Sequence, residues 1–171
     1  MMRGLLYARD VLTDLDFSRY REDWPDHFET ARKRLEGLVP KACQIHHVGS
    51  TAVPGLSAKD CIDILIQVPC VEDLSEVVTV LQESGYDHRS ESFAEDPRRS
   101  FLRLVRGDKR VEHVHVVTLG HPSGEEQLAM RDFLRAEPQA RHALLHPEVR
   151  LGAQASERSR GVHQRQRAVG P

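Results

Sequence analysis

The stretch that most constrains this chain is "HHVGSTAVPGLSAKDCIDILI", His46 to Ile66, where an acidic residue stands inside an apolar run. "CIDILIQV" (61–68), bounded by Pro69, is the nearly continuous apolar string of a strand covered on both faces. A carboxylate in such a place costs several kcal/mol if it is dry and unpaired. Asp63 therefore needs a cation, a strong donor or a wet cleft, and it is the best single candidate for a functional residue. The competing reading is a structural bond to a backbone amide or to an arginine such as Arg103. Asp60 is the poorer candidate, because residues three apart on a strand face opposite sides and cannot share one metal. The same-face neighbour of Asp63 is Leu65.

Upstream, "CQIHHV" (43–48) reads as a short strand that ends at Gly49. Gly49-Ser50 then lies at a strand C-terminus, where backbone amides and a hydroxyl can approach a phosphate without obstruction. The pair is equally ordinary turn chemistry. His46 and His47 are adjacent on the strand and point apart.

Elsewhere the periodicities are clear. Phe28, Ala31, Leu35 and Leu38 recur at helical spacing over 26–38, with Trp24-Pro25 at the start and Gly37 near the end. Val71, Leu74, Val77, Val78 and Leu81 make a second amphipathic helix, stopped by Gly85. "SFLRLVR" (100–106) and "VEHVHVV" (111–117) alternate with period two and pair as a hairpin about "GDK" (107–109). Ser123 with Glu126 is a capping box for a helix to about Ala136, halted by Pro138. These elements make one mixed α/β domain, with a lead-in at 1–19 that reads as an edge segment and a loosely attached, Arg- and Gln-rich tail at 142–171.

The hairpin puts His113 and His115 on one strand face, a spacing at which two imidazoles converge on a metal or on phosphate oxygens. An exposed polar hairpin face would read the same way. Arg98, Arg99 and Arg103 lie before or within the hairpin and Lys59 lies near the Gly-Ser turn, each a solvated charge unless an anion binds there. No P-loop, dinucleotide or hydrolase-elbow motif is present.

A length of 171 residues suits one ordinary domain. Lys+Arg 24 against Asp+Glu 26, formally −2, gives no bulk attraction to nucleic acid or anionic lipid, so an anionic ligand must be held locally. Cys43, Cys61 and Cys70 form no C-x-x-C pair and read as reduced core thiols of a cytoplasmic protein. Charges interrupt the N-terminal apolar residues, and no apolar run approaches the ~18 residues of a membrane span.

The strings "HHVGSTAVPGLSAKDCIDILI", "RVEHVHVV" and "MRDFLRAEP", with "YREDWPDHF" before them, resemble the bacterial GrpB family from about Tyr20 to Arg141. The resemblance implies a nucleotidyltransferase-like mixed sheet flanked by helices. It puts Gly49 and Ser50 in the place of the nucleotidyltransferase Gly-Ser motif and Asp63 where the first metal-binding carboxylate sits; on a transferase reading Gly49, Ser50, Thr51, Lys59 and Arg99 are the expected phosphate contacts, and Asp63, with His115 or His113 as substitute ligand or base, the expected site of Mg²⁺ or Mn²⁺. An active nucleotidyltransferase carries a second acid two residues after the first, because its metals must neutralise a triphosphate. Leu65 stands there, and the later strand offers His113 and His115, with Glu112 on the opposite face. Some family members are joined to dephospho-CoA kinase. Two functions follow from the resemblance: metal-dependent nucleotidyl transfer to an unknown acceptor, or a nucleotide- or anion-binding module, with an interaction domain linked to coenzyme A metabolism as a further possibility.

Overall fold

The computed structural model describes residues 17–145. Its centre is a five-stranded mixed sheet of β2 (Gln44–Val48), β4 (Ile62–Val68), β5 (Asp87–His88), β6 (Arg99–Arg106) and β7 (Lys109–Thr118), in the order β2-β4-β7-β6-β5. The β4–β7 ladder is parallel and the others are antiparallel. A separate small ladder pairs β1 (Phe17–Ser18) with β3 (Ala58–Lys59), so the end of the lead-in does form an edge segment. The helices are α1 (Trp24–Glu36), α2 (Val71–Glu83), α3 (Pro122–Ala136) and α4 (Pro138–Leu145). The expected tail falls almost wholly outside the described residues.

Side-chain alternation sorts the sheet into two faces. Ile62, Ile64, Ile66 and Val68 of β4 join Leu102, Val114 and Val116 in a core closed by Trp24, Phe28 and Leu35 of α1 and by Leu74, Val77 and Leu81 of α2. The opposite phase puts Leu65 beside Val48 and Val117, with Leu128 of α3 against them. Gly124 lets α3 sit close to that face, since a Cβ there would lie 2.9 Å from Val117 Cγ2.

Two local expectations are corrected. The hairpin turn is the two residues Gly107 and Asp108, because Lys109 already pairs with Arg106, and Gly107 takes the positive φ of 59° that the turn requires. Helix α3 is capped by His121, not Ser123. The carbonyl of His121 accepts from Gly124 N and Glu125 N, and its Nδ1 accepts from Ser123 N at 3.2 Å. The Ser123 hydroxyl also reaches Nδ1, at 2.9 Å, while His121 Nε2–H donates to Asp96 Oδ2 at 2.8 Å. That bond, with help from Arg98, holds the Asp96 carboxyl well below its usual range. An imidazole fixed in one tautomer by Asp96 thus does the work expected of a hydroxyl.

Pro138 follows the end of α3 and opens α4 as its first residue, where a missing N–H costs nothing. The chain divides into compact units between Arg135 and Ala136, and α4 is the described helix of the second. Cys43, Cys61 and Cys70 are all unbridged. Cys61 fits the core reading, its thiol pushed up to about 12 chiefly by burial. Cys70 does not, because the chain leaves the sheet at Pro69 and exposes it at the start of α2. Among the described residues no helix is long and apolar enough to cross a membrane.

Candidate functional site

Asp63 is the second residue of β4, not its midpoint, and so emerges at the end of the sheet with its side chain 30% exposed. Its partner is neither a backbone amide nor Arg103, which donates instead to Asp87 at 2.7 Å. The parallel register sets Asp63 beside His113, and Asp63 Oδ1 lies 3.1 Å from His113 Nδ1. The imidazole Nδ1–H is the donor of this pair, because a carboxylate oxygen only accepts.

Val48 pairs with Asp63 across the antiparallel β2–β4 ladder, which delivers Gly49 directly over the carboxylate. A Cβ on Gly49 would lie 2.3 Å from Asp63 Oδ2, and the backbone there has φ 70° and ψ −170°, a combination open essentially to glycine alone. Glycine and aspartate are therefore one steric unit. Ser50 opens a short 3-10 turn, Ser50–Ala52, and faces the same cleft. Thr51 does not. It is 1% exposed and its hydroxyl bonds His47 Nε2 at 3.0 Å, so the phosphate role implied for it has no access to the cleft. Lys59 lies exposed on β3, outside the cleft lining.

The cleft has a volume of about 570 Å³. Arg99 enters it from β6, its guanidinium 3.4 Å from the centre of the Phe93 ring and its Nε buried with no hydrogen-bond partner. His115 reaches it from β7, 5.0 Å from the Phe101 ring, and burial lowers its pKa, so the imidazole is neutral at neutral pH. Ser123, Glu126, Gln127, Met130, Arg131 and Leu134 form the α3 wall.

Arg131 and Arg135 are the residues that sequence reasoning missed. Arg131 Nη1 donates to the His47 carbonyl at 3.1 Å, and Arg135 Nε donates to the Ala52 carbonyl at 2.9 Å. From one helix they brace both ends of the Gly-Ser turn. Their signal was the four-residue spacing within "MRDFLRAEP", which places them on one helical face.

The donor set does not suit a resident Mg²⁺ or Mn²⁺. Among the described residues no group of three or more His, Cys, Asp or Glu side chains stands close enough to hold an ion. Asp63 has one oxygen engaged by an imidazole, whereas these cations favour an octahedron of oxygens.

A family model described as "GrpB protein" matches residues 15–166. The UPF0157 protein YqkA of Bacillus subtilis is 38% identical over 120 residues, 70% of this chain and 34% of that protein, so the chain spans about a third of that relative. A protein named dephospho-CoA kinase from Mycolicibacterium paratuberculosis is 31% identical over 142 residues, again 70% of this chain and 35% of the relative. Of solved structures, conserved protein GrpB from Enterococcus faecalis superposes with a TM-score of 0.65 at 27% identity, covering 77% of this chain and 84% of that one. The Cid1 poly(U) polymerase with MgGTP bound superposes at 0.52 and 12% identity, covering 83% and 46%. The fold is nucleotidyltransferase-like.

Proposed function

Because the chain belongs to the GrpB family, a membership that fixes a fold and no chemistry, we propose from the cleft itself that the protein binds a nucleotide or another phosphorylated small molecule without transferring its nucleotidyl group. The observation that carries this is Leu65. It follows Asp63 by two residues on the same strand face, is fully buried, and packs with Val48 and Val117. The position that would hold a second metal-binding carboxylate is given to the apolar contact between sheet and α3. Asp63 alone is a thin ligand set for the two cations of phosphoryl-transfer chemistry.

Phosphate recognition is supported by Arg99, whose buried Nε has no acceptor, and by Ser50, which lines the same cleft. A divalent cation enters this reading only with the ligand's own phosphate oxygens. A cytoplasmic setting belongs to the same proposal and is supported by the three unbridged cysteines.

One observation favours the transfer reading instead. Asp63 Oδ1 lies 3.1 Å from His113 Nδ1, a carboxylate–imidazole pair of the kind that general bases use, although His113 itself is not part of the cleft lining.

Calorimetry against the four nucleoside triphosphates, their monophosphates and dephospho-CoA, with and without Mg²⁺ or Mn²⁺, followed by an assay for released pyrophosphate, separates the two. Binding without pyrophosphate release is expected. Metal-dependent release that disappears in Asp63→Asn would overturn the proposal in favour of transfer.

A further inference from the structure

The charges around the cleft are unevenly committed. Arg131 is spent, since Nε and Nη2 donate to Asp132 and Nη1 to the His47 carbonyl. Arg99 has the Phe93 ring and no carboxylate partner. Of the two carboxylates in the lining, Asp63 has an imidazole and no ammonium or guanidinium beside it, and Glu126 makes neither a hydrogen bond nor an ion pair among the described residues. The cleft therefore offers a ligand one uncommitted cation and two carboxylates, one from the sheet and one from α3.

A metal-free triphosphate suits this distribution badly, because its negative charges outnumber the single arginine and face two like charges across a half-enclosed space. A single phosphate meets Arg99 and leaves the carboxylates for hydrogen-bond donors. Building on the phosphate-binding reading above, we infer that the cleft takes a phosphomonoester whose body carries amino or hydroxyl donors, with the phosphate on Arg99 and Ser50 and the donors on Asp63 and Glu126. Gln127, beside Glu126 in the lining, extends the same donor-accepting wall. Met130 and Leu134 supply its apolar flank.

The test is calorimetry on the full chain at fixed ionic strength with chelator present, using glucosamine 6-phosphate, AMP, ATP and inorganic phosphate, on the wild type and on Glu126→Gln. That residue is exposed on α3, so the substitution keeps the fold, which a thermal melt verifies. In the wild type glucosamine 6-phosphate is expected to bind at least about tenfold more tightly than metal-free ATP. Glu126→Gln is expected to close most of that gap, by weakening the amine and relieving the repulsion on ATP. Metal-free ATP binding as tightly as the monoesters, or a ratio that Glu126→Gln leaves unchanged, overturns the inference while the phosphate site stands. No binding by any of the four probes overturns the phosphate reading, and this inference with it.

Discussion

The two faces of the central sheet are built from the same strands by opposite rules. The face under α1 and α2 is apolar, and its charged intruder, Glu112, is answered in full. Arg34 Nη2 donates to both carboxylate oxygens, at 2.7 and 2.6 Å, and the Tyr86 hydroxyl donates to one of them at 2.5 Å. Burial, and next the bond to Glu112, push the Tyr86 phenol well above its usual range, so that phenol stays a donor. The face under α3 leaves a buried group open: Arg99 Nε has no hydrogen-bond partner, while Glu126, exposed on α3 at the cleft, has none among the described residues. A satisfied buried charge marks structure, and an unsatisfied one beside a cavity marks a place for something else.

The comparison breaks most visibly if an acid is added one residue along. Ile64→Asp puts a new charge on the apolar face, where it finds no partner, and is expected to cost more than about 4 kcal/mol. A cooperative melt near the wild-type temperature would show that the faces do not differ as described. Gly49→Ala tests the other side. The new Cβ must displace the Asp63 carboxylate at a backbone conformation that alanine avoids, at a cost of about 3 kcal/mol, and phosphate-ligand affinity in calorimetry should fall with it.

Acid sharpens the contrast further. His47 pairs with Ile64 on the apolar face, stacks on Phe28 with ring centres 4.6 Å apart, and is pushed by burial from 6.5 to about 4. The unfolded chain takes up that proton near pH 6.5 and the folded chain only near pH 4. The stabilisation is therefore complete above pH 6.5 and drains away as pH falls toward 4, by up to about 3 kcal/mol. Urea midpoints at pH 7 and 4.5 should fall more steeply in the wild type than in His47→Gln, and equal slopes would remove His47 from the account. The smallest effect belongs to Asp63→Asn, which keeps shape at a half-exposed site. Stability should change by less than about 1 kcal/mol, while any increment of ligand affinity contributed by Mg²⁺ or Mn²⁺ disappears. A large loss of stability would make Asp63 a structural residue like Glu112.

Much of this was legible because single residues broke strong patterns. Asp63 stood out against Ile62, Ile64 and Leu65, and His113 with His115 shared a phase that the hairpin preserved. What stayed hidden depended on partners far along the chain. Arg131 reads as an ordinary solvated charge on an amphipathic helix, and only the fold brings it to a carbonyl 84 residues away. Thr51 looked like part of a phosphate loop because a tight turn does not announce which of its side chains points inward; His47, four residues earlier, decides that. The α3 cap was misplaced because a histidine anchored by Asp96, 25 residues distant, out-competed a better local capping residue.

The parallel pairing of β4 with β7 sets when the cleft comes into being. Asp63 and His113 are 50 residues apart, with α2 and β6 between them, whereas β6 and β7 are joined by a two-residue turn. The hairpin closes a short loop and forms early; the β4–β7 ladder must first meet the entropy of a long one. Until β4 and β7 pair, no partly assembled chain brings the two halves of the acid–imidazole pair together. A ligand of this cleft therefore cannot hasten folding, and its whole effect falls on the escape from the native state: in stopped-flow measurements the unfolding limb should drop with ligand concentration while the refolding limb stays where it was.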